Sequence, residues 1–153
     1  MADQQTSPQI DFLIQKIFIS DASFETPSAP EVFKSEWKPE INVELDSNHK
    51  ELPDDQHAVD LMVTITAKNK DKIAFIAEVK QSGIFTLKGA DKAQLGHIIG
   101  AFCPDTLFPY AREALSGMVS RGGFPPVTLN PINFNAIYEQ KLANEAAEKD
   151  KKK

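Results

Sequence analysis

Alternating apolar and polar residues dominate the first half of the chain. In the segments EINVELD, AVDLMVTITA and KIAFIAEVKQ every second residue is apolar. This period of two is typical of half-buried strands in an antiparallel sheet with one wet face. The side chains predicted to face the core are Ile41, Val43, Leu45, Val59, Leu61, Val63, Ile65, Ile73, Phe75, Ala77 and Val79. Ala74, Ile76, Glu78 and Lys80 are then predicted on the solvent-exposed face, with turns near 53–55 and 69–71.

The segment DFLIQKIFIS differs, because it is apolar on both sides. Simple alternation divides the apolar residues of this predicted strand, 10–19, into Phe12, Ile14 and Phe18 on one face and Leu13, Ile17 and Ile19 on the other. A strand with two apolar faces needs cover on both or a partner chain. The pattern is therefore a first indication of an oligomer.

The period becomes helical after Gly89. Asp91 is placed to cap a helix that Pro104 ends, a second helix is predicted from about Asp105, and Asn133 is placed to cap a third. Four strands followed by three helices, segregated along the chain, predict an α+β fold.

Composition and charge exclude several classes of protein. The 153 residues carry 17 Lys and Arg against 22 Asp and Glu, a net charge of -5, which argues against nucleic-acid binding. No apolar run approaches the roughly 18 residues of a membrane span, so direct membrane insertion is not expected. The first residues lack the features of a secretory signal, and the single cysteine cannot form an internal disulfide. We therefore expect a cytoplasmic protein.

The reactive residues do not form a recognisable catalytic or metal site. Cys103 and His97 do not share a helix face, and Cys103 is expected to be a small buried apolar residue. His49 and His57 lack zinc-ligand spacing and are expected to be solvated. The glycines form no phosphate or dinucleotide fingerprint, and the GxxxG at 96–100 indicates close helix packing. No enzyme activity, cofactor or metal is expected.

Two segments instead indicate binding surfaces. SFETPSAPEVFKSEWKPE, residues 23–40, is broken by prolines yet carries Phe24, Phe33 and Trp37. These aromatics either anchor a crossover in the core or form a stiff apolar rim for extended apolar segments. The second surface is the outer face of the sheet, where single carboxylates are ordinarily solvated but a group of them is able to dock a basic partner. The carboxylates in question are Asp21 and Glu25, just beyond the first strand, with Glu44, Asp46, Asp60 and Glu78.

Three segments resemble the SecB family of bacterial protein-export chaperones. They are SFETPSAPEVFKSEWKPE, AEVKQSGIFTL and CPDTLFPYAREALSGMVSRGGFPPVTLNPINFNAIY, and the resemblance runs from about Phe12 to Tyr138. It implies a four-stranded antiparallel sheet with helices packed on one face, assembled as a homotetramer that is a dimer of dimers. It also implies an ATP-independent chaperone that binds unfolded preproteins, keeps them competent for translocation and delivers them to the SecA motor.

The resemblance further implies the residues of each site. In the family a preprotein groove runs between the crossover loop and the C-terminal helical region. The residues expected to form it here are Phe24, Pro27, Val32, Phe33, Trp37 and Tyr138. By the same resemblance, the residues expected to bind SecA are Asp21, Glu25, Ile76 and Glu78. The residues expected at the oligomer interface are Ala77, Val79 and Gln81. The zinc of this system belongs to SecA, so no metal is expected here.

The predicted organisation is a flexible N-terminal end at 1–9, a chaperone domain at 10–142 and a flexible charged tail at 143–153. This tail ends in lysines, whereas tails in the family are polar or acidic. The contribution of the tail to SecA binding is therefore left open. The alternative interpretation is an acidic oligomeric adaptor for folded partners, with buried aromatics and no holdase activity.

Overall fold

A computed structural model describes residues 9–152 of the chain. Four strands form one antiparallel sheet, as predicted. Their order, β1-β4-β3-β2, makes β1 and β2 the edges of the sheet. The strands are β1 (Asp11–Glu25), β2 (Pro39–Glu51), β3 (Gln56–Asn69) and β4 (Lys72–Lys88). The helices are α1 (Lys92–His97), α2 (Cys103–Arg121) and α3 (Phe134–Lys151). Between β1 and β2 the crossover segment, 26–38, contains one short 3-10 helix, Glu31–Lys34.

Helix α2 covers the inner face of the sheet and leaves the outer face open. Its buried side chains Leu107, Ala111 and Leu115 complete a core with the inner residues of the two central strands. Those inner residues, nearly all of them predicted, are Val59, Leu61, Val63, Ile65, Ala67, Phe75, Ala77, Val79 and Phe85. The predictions for Ile73 and Ala74 were wrong, because the pairing of β3 with β4 shifts there: Ile73 pairs with the exposed Lys68 on the outer side, and Ala74 is fully buried.

Two β-bulges in β1 overturn the predicted division of its apolar residues. Ile14 pairs with Phe85 and Lys16 with Ile84, so Gln15 is an extra residue, and Ser20 is extra in the same way. Each extra residue inverts the alternation beyond it. Judged by their partners on β4, the residues on the inner face are Phe12, Ile14, Ile17, Ile19, Ala22 and Phe24, while Leu13 and Phe18 lie on the outer face. The strand also continues to Glu25 instead of ending at 19.

The first two predicted helices form one continuous helical stretch. Residues 98–102 make a π-helical turn that joins α1 to α2, so Pro104 does not end a helix. In a regular α-helix the ring of Pro104 would clash with the carbonyl of Gly100. The wider turn changes that pairing and accommodates the proline.

The predicted helix caps are confirmed. The side chain of Asp91 accepts from the amide of Gln94 at 2.8 Å, and that of Asn133 accepts from the amide of Ala136 at 3.0 Å. α3 then continues to Lys151, so residues 143–151 of the predicted tail are helical, with exposed side chains. The predicted N-terminal end lies outside the described residues except for Gln9. Within residues 9–152 no helix is both long and apolar enough to cross a membrane.

Candidate binding surfaces

An aromatic cluster on the inner face gathers the three predicted aromatics around Phe124, in the segment after α2. Phe124 is 6% exposed, and its ring centroid lies 4.9 Å from that of Phe33, 5.3 Å from that of Trp37 and 6.2 Å from that of Phe24. Phe75 of β4 packs against the cluster from the sheet, with its ring centroid 4.9 Å from that of Phe124. Aromatic pairs at these separations add stabilisation beyond their buried area. Sequence reasoning missed Phe124, because nothing in its own segment relates it to residues about 90 positions earlier.

Two glycines allow the rings to lie against the backbone. A side chain on Gly122 would collide with the ring of Phe24, and one on Gly123 would press on Phe33 at 3.2 Å. Gly123 also has a φ of 89°, a conformation that favours glycine. The end of α2 and the packing of the cluster therefore depend on the same pair of residues.

Two polar side chains tie the crossover segment to the sheet. Ser28 donates to the carbonyl of Ile73 at 2.8 Å. Asn69, which is buried, accepts from the amide of Lys38 and donates to the carbonyl of Glu36, each at 3.0 Å. Because both ends of the segment are anchored, its aromatics are held in place before any ligand binds.

The predicted groove residues differ in exposure. Val32 is buried in the core, Phe24 and Trp37 are half-buried, and Phe33 is 49% exposed. Pro27 is exposed and lines a separate cavity of about 450 Å³ under the crossover segment. The cluster therefore anchors the crossover in the core, and it leaves the ring of Phe33 half exposed at its rim.

Tyr138 lies apart from the aromatic cluster. Its ring packs against Gly100 and, at a centroid distance of 5.7 Å, against His97. Its hydroxyl also approaches Gly96, which agrees with the predicted helix packing at the GxxxG. The contacts of Tyr138 join α3 to α1 and the π turn.

An apolar cavity lies beside the aromatic cluster, between two chain segments that each contribute residues to the cluster. Ile41 and Val43 of β2, which follow Trp37, form one wall, and residues 127–132, which follow Phe124, form the other. The cavity has a volume of about 340 Å³. Ile41 and Val43 are partly exposed although they point to the inner side of the sheet. Alternation predicted that they would face the core, and the structure leaves them at the wall of an open cavity.

The four residues predicted to bind SecA lie together on the outer face. Glu25 pairs with Ile76 across β1 and β4, and Asp21 pairs with Lys80. Glu78 lies between those two pairs on the same side of β4, opposite Ser23, and accepts a hydrogen bond from the hydroxyl of Thr64 at 2.8 Å. The paired strands thus form an acidic patch, which we define as Asp21, Glu25 and Glu78 around the side chain of Ile76.

The outer face is less uniformly acidic than the sequence indicated. Lys80 lies within it and pairs with Asp60 of β3 at 3.8 Å. Glu44 and Asp46 point to the same side from β2, the opposite edge strand. The acidic patch on β1 and β4 and the carboxylates of Glu44 and Asp46 on β2 thus lie toward opposite edges of the sheet, with the ion pair of Asp60 and Lys80 between them.

Comparison with known proteins identifies the family. Residues 3–145 match the family model described as "Preprotein translocase subunit SecB". The protein-export protein SecB of Ectopseudomonas mendocina is 49% identical over 141 residues, which cover 92% of this chain and 86% of that protein. The chain belongs to the SecB family.

Further relatives agree with this membership. The protein-export protein SecB of Marinobacter nauticus is 45% identical over 146 residues, covering 95% of this chain and 87% of that protein. Among solved structures, a SecB-like chaperone of Mycobacterium tuberculosis, in complex with a ChAD peptide from the HigA1 antitoxin, matches with a TM-score of 0.64. That match covers 79% of this chain and 90% of the other at 16% identity, so it shows a shared fold.

SecB membership confirms the expected class of function. SecB is a family of chaperones for protein export and not a family of enzymes. The alternative, an adaptor for folded partners, is not favoured.

The three residues that the SecB resemblance assigned to the oligomer interface lie inside one protomer. Ala77 and Val79 are fully buried beneath α2, and Gln81 is 3% exposed. The side-chain amide of Gln81 donates through Nε2 to the carbonyl of Phe18 at 3.1 Å, close to the second bulge. Exposed apolar side chains lie instead on the neighbouring edge strand β1, at Leu13, Ile14, Phe18 and Ile19.

The remaining reactive residues of this SecB chain differ in exposure: His49, as expected, and His97 are exposed, whereas His57 and Cys103 are buried. His57 is buried, contrary to expectation, and its Nδ1 lies 2.9 Å from Nε2 of His49 on the adjacent strand. Burial lowers the pKa of His49, and the nearby His57 lowers it further, while Glu51 acts in the opposite direction. Cys103 is fully buried as predicted, and burial raises the pKa of its thiol to about 12. Within residues 9–152 no group of three or more His, Cys, Asp or Glu residues is placed to hold a metal ion.

Proposed function

We propose that this SecB protein holds non-native preproteins without ATP, by gripping extended apolar segments at the exposed rim of the aromatic cluster. The observation that carries the proposal is the half-exposed ring of Phe33, fixed against Phe124 at 4.9 Å. A rigid apolar surface loses little conformational entropy when it binds. The site therefore favours any flexible chain with apolar side chains and requires little sequence preference.

The preprotein groove extends, in this proposal, from Phe33 and Trp37 into the cavity along Ile41 and Val43. Its volume of about 340 Å³ suits a few apolar side chains at a time. A long preprotein would then need several such grooves. Tyr138 is proposed to support the helices and not to line this groove, because its ring packs on Gly100.

Several protomers would provide those grooves. We propose assembly as a homotetramer, a dimer of dimers, that uses the edge strand β1. Its unpaired backbone groups and exposed Leu13, Ile14, Phe18 and Ile19 are features that a solitary edge strand rarely keeps. An Ile14→Asp variant should shift the protein to smaller species in light scattering. A stable monomer of the unmodified protein at micromolar concentration would overturn the tetramer.

The acidic patch is proposed to dock a basic element of SecA, with Ile76 as the apolar centre of the contact. The carboxylates of Asp21 and Glu25 are exposed and are available to attract such an element over about 8–10 Å at moderate salt. Delivery of preproteins to SecA implies that the protein works in the cytoplasm. The groove and the patch lie on opposite faces of the sheet, so a protomer is able to hold a preprotein and SecA together.

The test of holdase activity compares one polypeptide in two states. An unfolded precursor should change the fluorescence of Trp37 in the absence of ATP, since the tryptophan lies at the groove. The same precursor, once folded, should leave the fluorescence unchanged. Equal binding of both states would favour an adaptor for folded proteins, and a requirement for ATP would contradict the proposal.

A further inference from the structure

The two bulges of β1 are each held by a hydroxyl group of β4. At the first, Nε2 of Gln15 donates to Oγ1 of Thr86 at 2.9 Å. At the second, Oγ of Ser20 lies 2.7 Å from Oγ of Ser82. Ser82 has its own acceptor, because its hydroxyl donates to Oδ1 of Asp60 on β3 at 2.6 Å. The second bulge is thus tied across three strands.

The Ser82 end of this tie is shielded from water, whereas Ser20 is exposed. Ser82 is 1% exposed even though it points to the outer face. Lys80 reinforces the far end of the tie through its ion pair with Asp60 at 3.8 Å, and its carbonyl is a second acceptor for Ser20 at 3.2 Å. Because Ser82 is buried, loss of its hydroxyl would remove a donor from Oδ1 of Asp60, and would leave the hydroxyl of Ser20 with the carbonyl of Lys80 and water as its remaining partners.

The bulge at Ser20 decides which face the following residues occupy. Ile19 pairs with Gln81 on the inner side, and Asp21 pairs with Lys80 on the outer side, because Ser20 is inserted between them. Without the insertion, strict alternation would turn Asp21 and Glu25 inward and Phe24 outward. The insertion of Ser20 therefore places Asp21 and Glu25 of the acidic patch on the outer face, and it places Phe24 in the aromatic cluster on the inner face.

We propose that Ser82, supported by Asp60, is a positioning residue for SecA docking. It holds the bulge at Ser20 and so keeps the carboxylates of Asp21 and Glu25 beside Glu78. This inference rests on the proposed docking of SecA at the acidic patch. Ser82 is buried and does not touch the partner, so its effect passes through the backbone of β1.

The first measurement is the affinity of the intact oligomer for SecA by calorimetry. Ser82→Ala should weaken binding roughly fivefold, the effect of one hydrogen bond, without any change of charge. Ser82→Thr retains the hydroxyl and should restore most of the affinity. The matched control is Thr86→Val, which removes the corresponding tie at the first bulge and should leave SecA affinity unchanged.

Hydrogen exchange provides a second readout that a general loss of stability would not reproduce. In Ser82→Ala the amides of residues 19–25 should exchange faster while those of residues 12–17 keep their protection, and Thr86→Val should give the reverse pattern. The inference would be overturned if Ser82→Ala had the same SecA affinity and the same hydrogen exchange as the unmodified protein. An equal loss of SecA affinity in Thr86→Val would also overturn it. Reversal of Asp21 and Glu25 to lysine separates the two proposals: if that variant loses SecA while Ser82→Ala does not, only the role of Ser82 fails.

Discussion

The aromatic cluster and the acidic patch lie on opposite faces of the same pair of strands, and they are assembled in different ways. Phe24 and Glu25 are neighbours in sequence, yet one enters the cluster and the other the patch. The cluster also needs Phe33 and Trp37 from the crossover and Phe124 from the segment after α2. The patch needs only β1 and β4 in the right register. Tertiary packing makes the first surface, and strand pairing makes the second.

This difference determines what a substitution can report. The rings of the cluster contribute to the core, so a change there alters stability and preprotein capture together. The carboxylates of the patch are exposed or at the surface, where single charges rarely contribute more than about 1 kcal/mol to stability. Changes at the patch should therefore separate binding from folding, and changes at the cluster should do so only at its rim.

The largest effect is expected at the centre of the cluster. Phe124→Ala should lower the free energy of unfolding by about 3–5 kcal/mol, since it empties a buried site in contact with four other aromatic rings. Urea denaturation measures the loss. Tyr110→Ala is the control, because Tyr110 is an exposed aromatic on α2 and should cost less than about 1 kcal/mol. Unchanged stability in Phe124→Ala would show that the cluster is not part of the core.

The next effect concerns the patch. Asp21→Lys combined with Glu25→Lys should abolish measurable SecA binding while preserving circular dichroism, assembly and preprotein capture. Part of the cost is local, because a lysine at 21 faces Lys80 directly, so the neutral pair Asp21→Asn and Glu25→Gln should give an intermediate affinity. Binding by the unmodified protein should weaken as salt rises.

A matched pair of reversals tests whether this effect is local. Glu44→Lys with Asp46→Lys makes the same change of charge on the same face, but on the opposite edge strand. We expect a clearly smaller loss of SecA affinity from it. Equal losses from both pairs would mean that the general field of the sheet, and not the patch, directs docking.

The rim of the cluster should give a smaller and more selective effect. Phe33→Ala removes a ring that is half in solvent, so the free energy of unfolding should fall by roughly 1 kcal/mol, well below the loss at Phe124. Capture of an unfolded precursor should weaken several-fold, as measured by suppression of its aggregation. If capture among Phe33→Ala, Trp37→Ala and Phe124→Ala merely follows stability, the aromatics act only as core.

Local sequence patterns predicted the strands and the core of β3, because that strand is buried on one face without interruption. They failed at β1, where Gln15 and Ser20 are ordinary polar residues whose role as bulges depends on Thr86 and Ser82 across the sheet. They also failed at Pro104, since a π turn upstream removes the clash that normally ends a helix.

The candidate sites divide in the same way. The residues of the acidic patch were assigned from motifs on two strands, and the pairing of β1 with β4, which the sequence did not specify, brings them together. The centre of the cluster was not identified, because Phe124 reaches Phe24 only after α2 has packed on the sheet. The Gly122–Gly123 pair before Phe124 is a local signal, but in the sequence a glycine pair indicates only the end of a helix, and the contact of Gly122 with the ring of Phe24 depends on the fold.

The smallest predicted effect lies on the inner face, away from both surfaces. Because the pKa of His49 in the folded protein is lowered below its ordinary value of 6.5, folding favours the neutral ring. The stabilisation is therefore complete above pH 6.5 and is lost as the pH falls, with a slope corresponding to less than about one proton. Unfolding by urea at several values between about pH 5 and 7.5 measures it. In His49→Gln this part of the slope should disappear while SecA binding at neutral pH stays unchanged, since the pair of histidines lies on the side of the sheet opposite the acidic patch. A slope that persists in His49→Gln would assign the acid sensitivity to other groups.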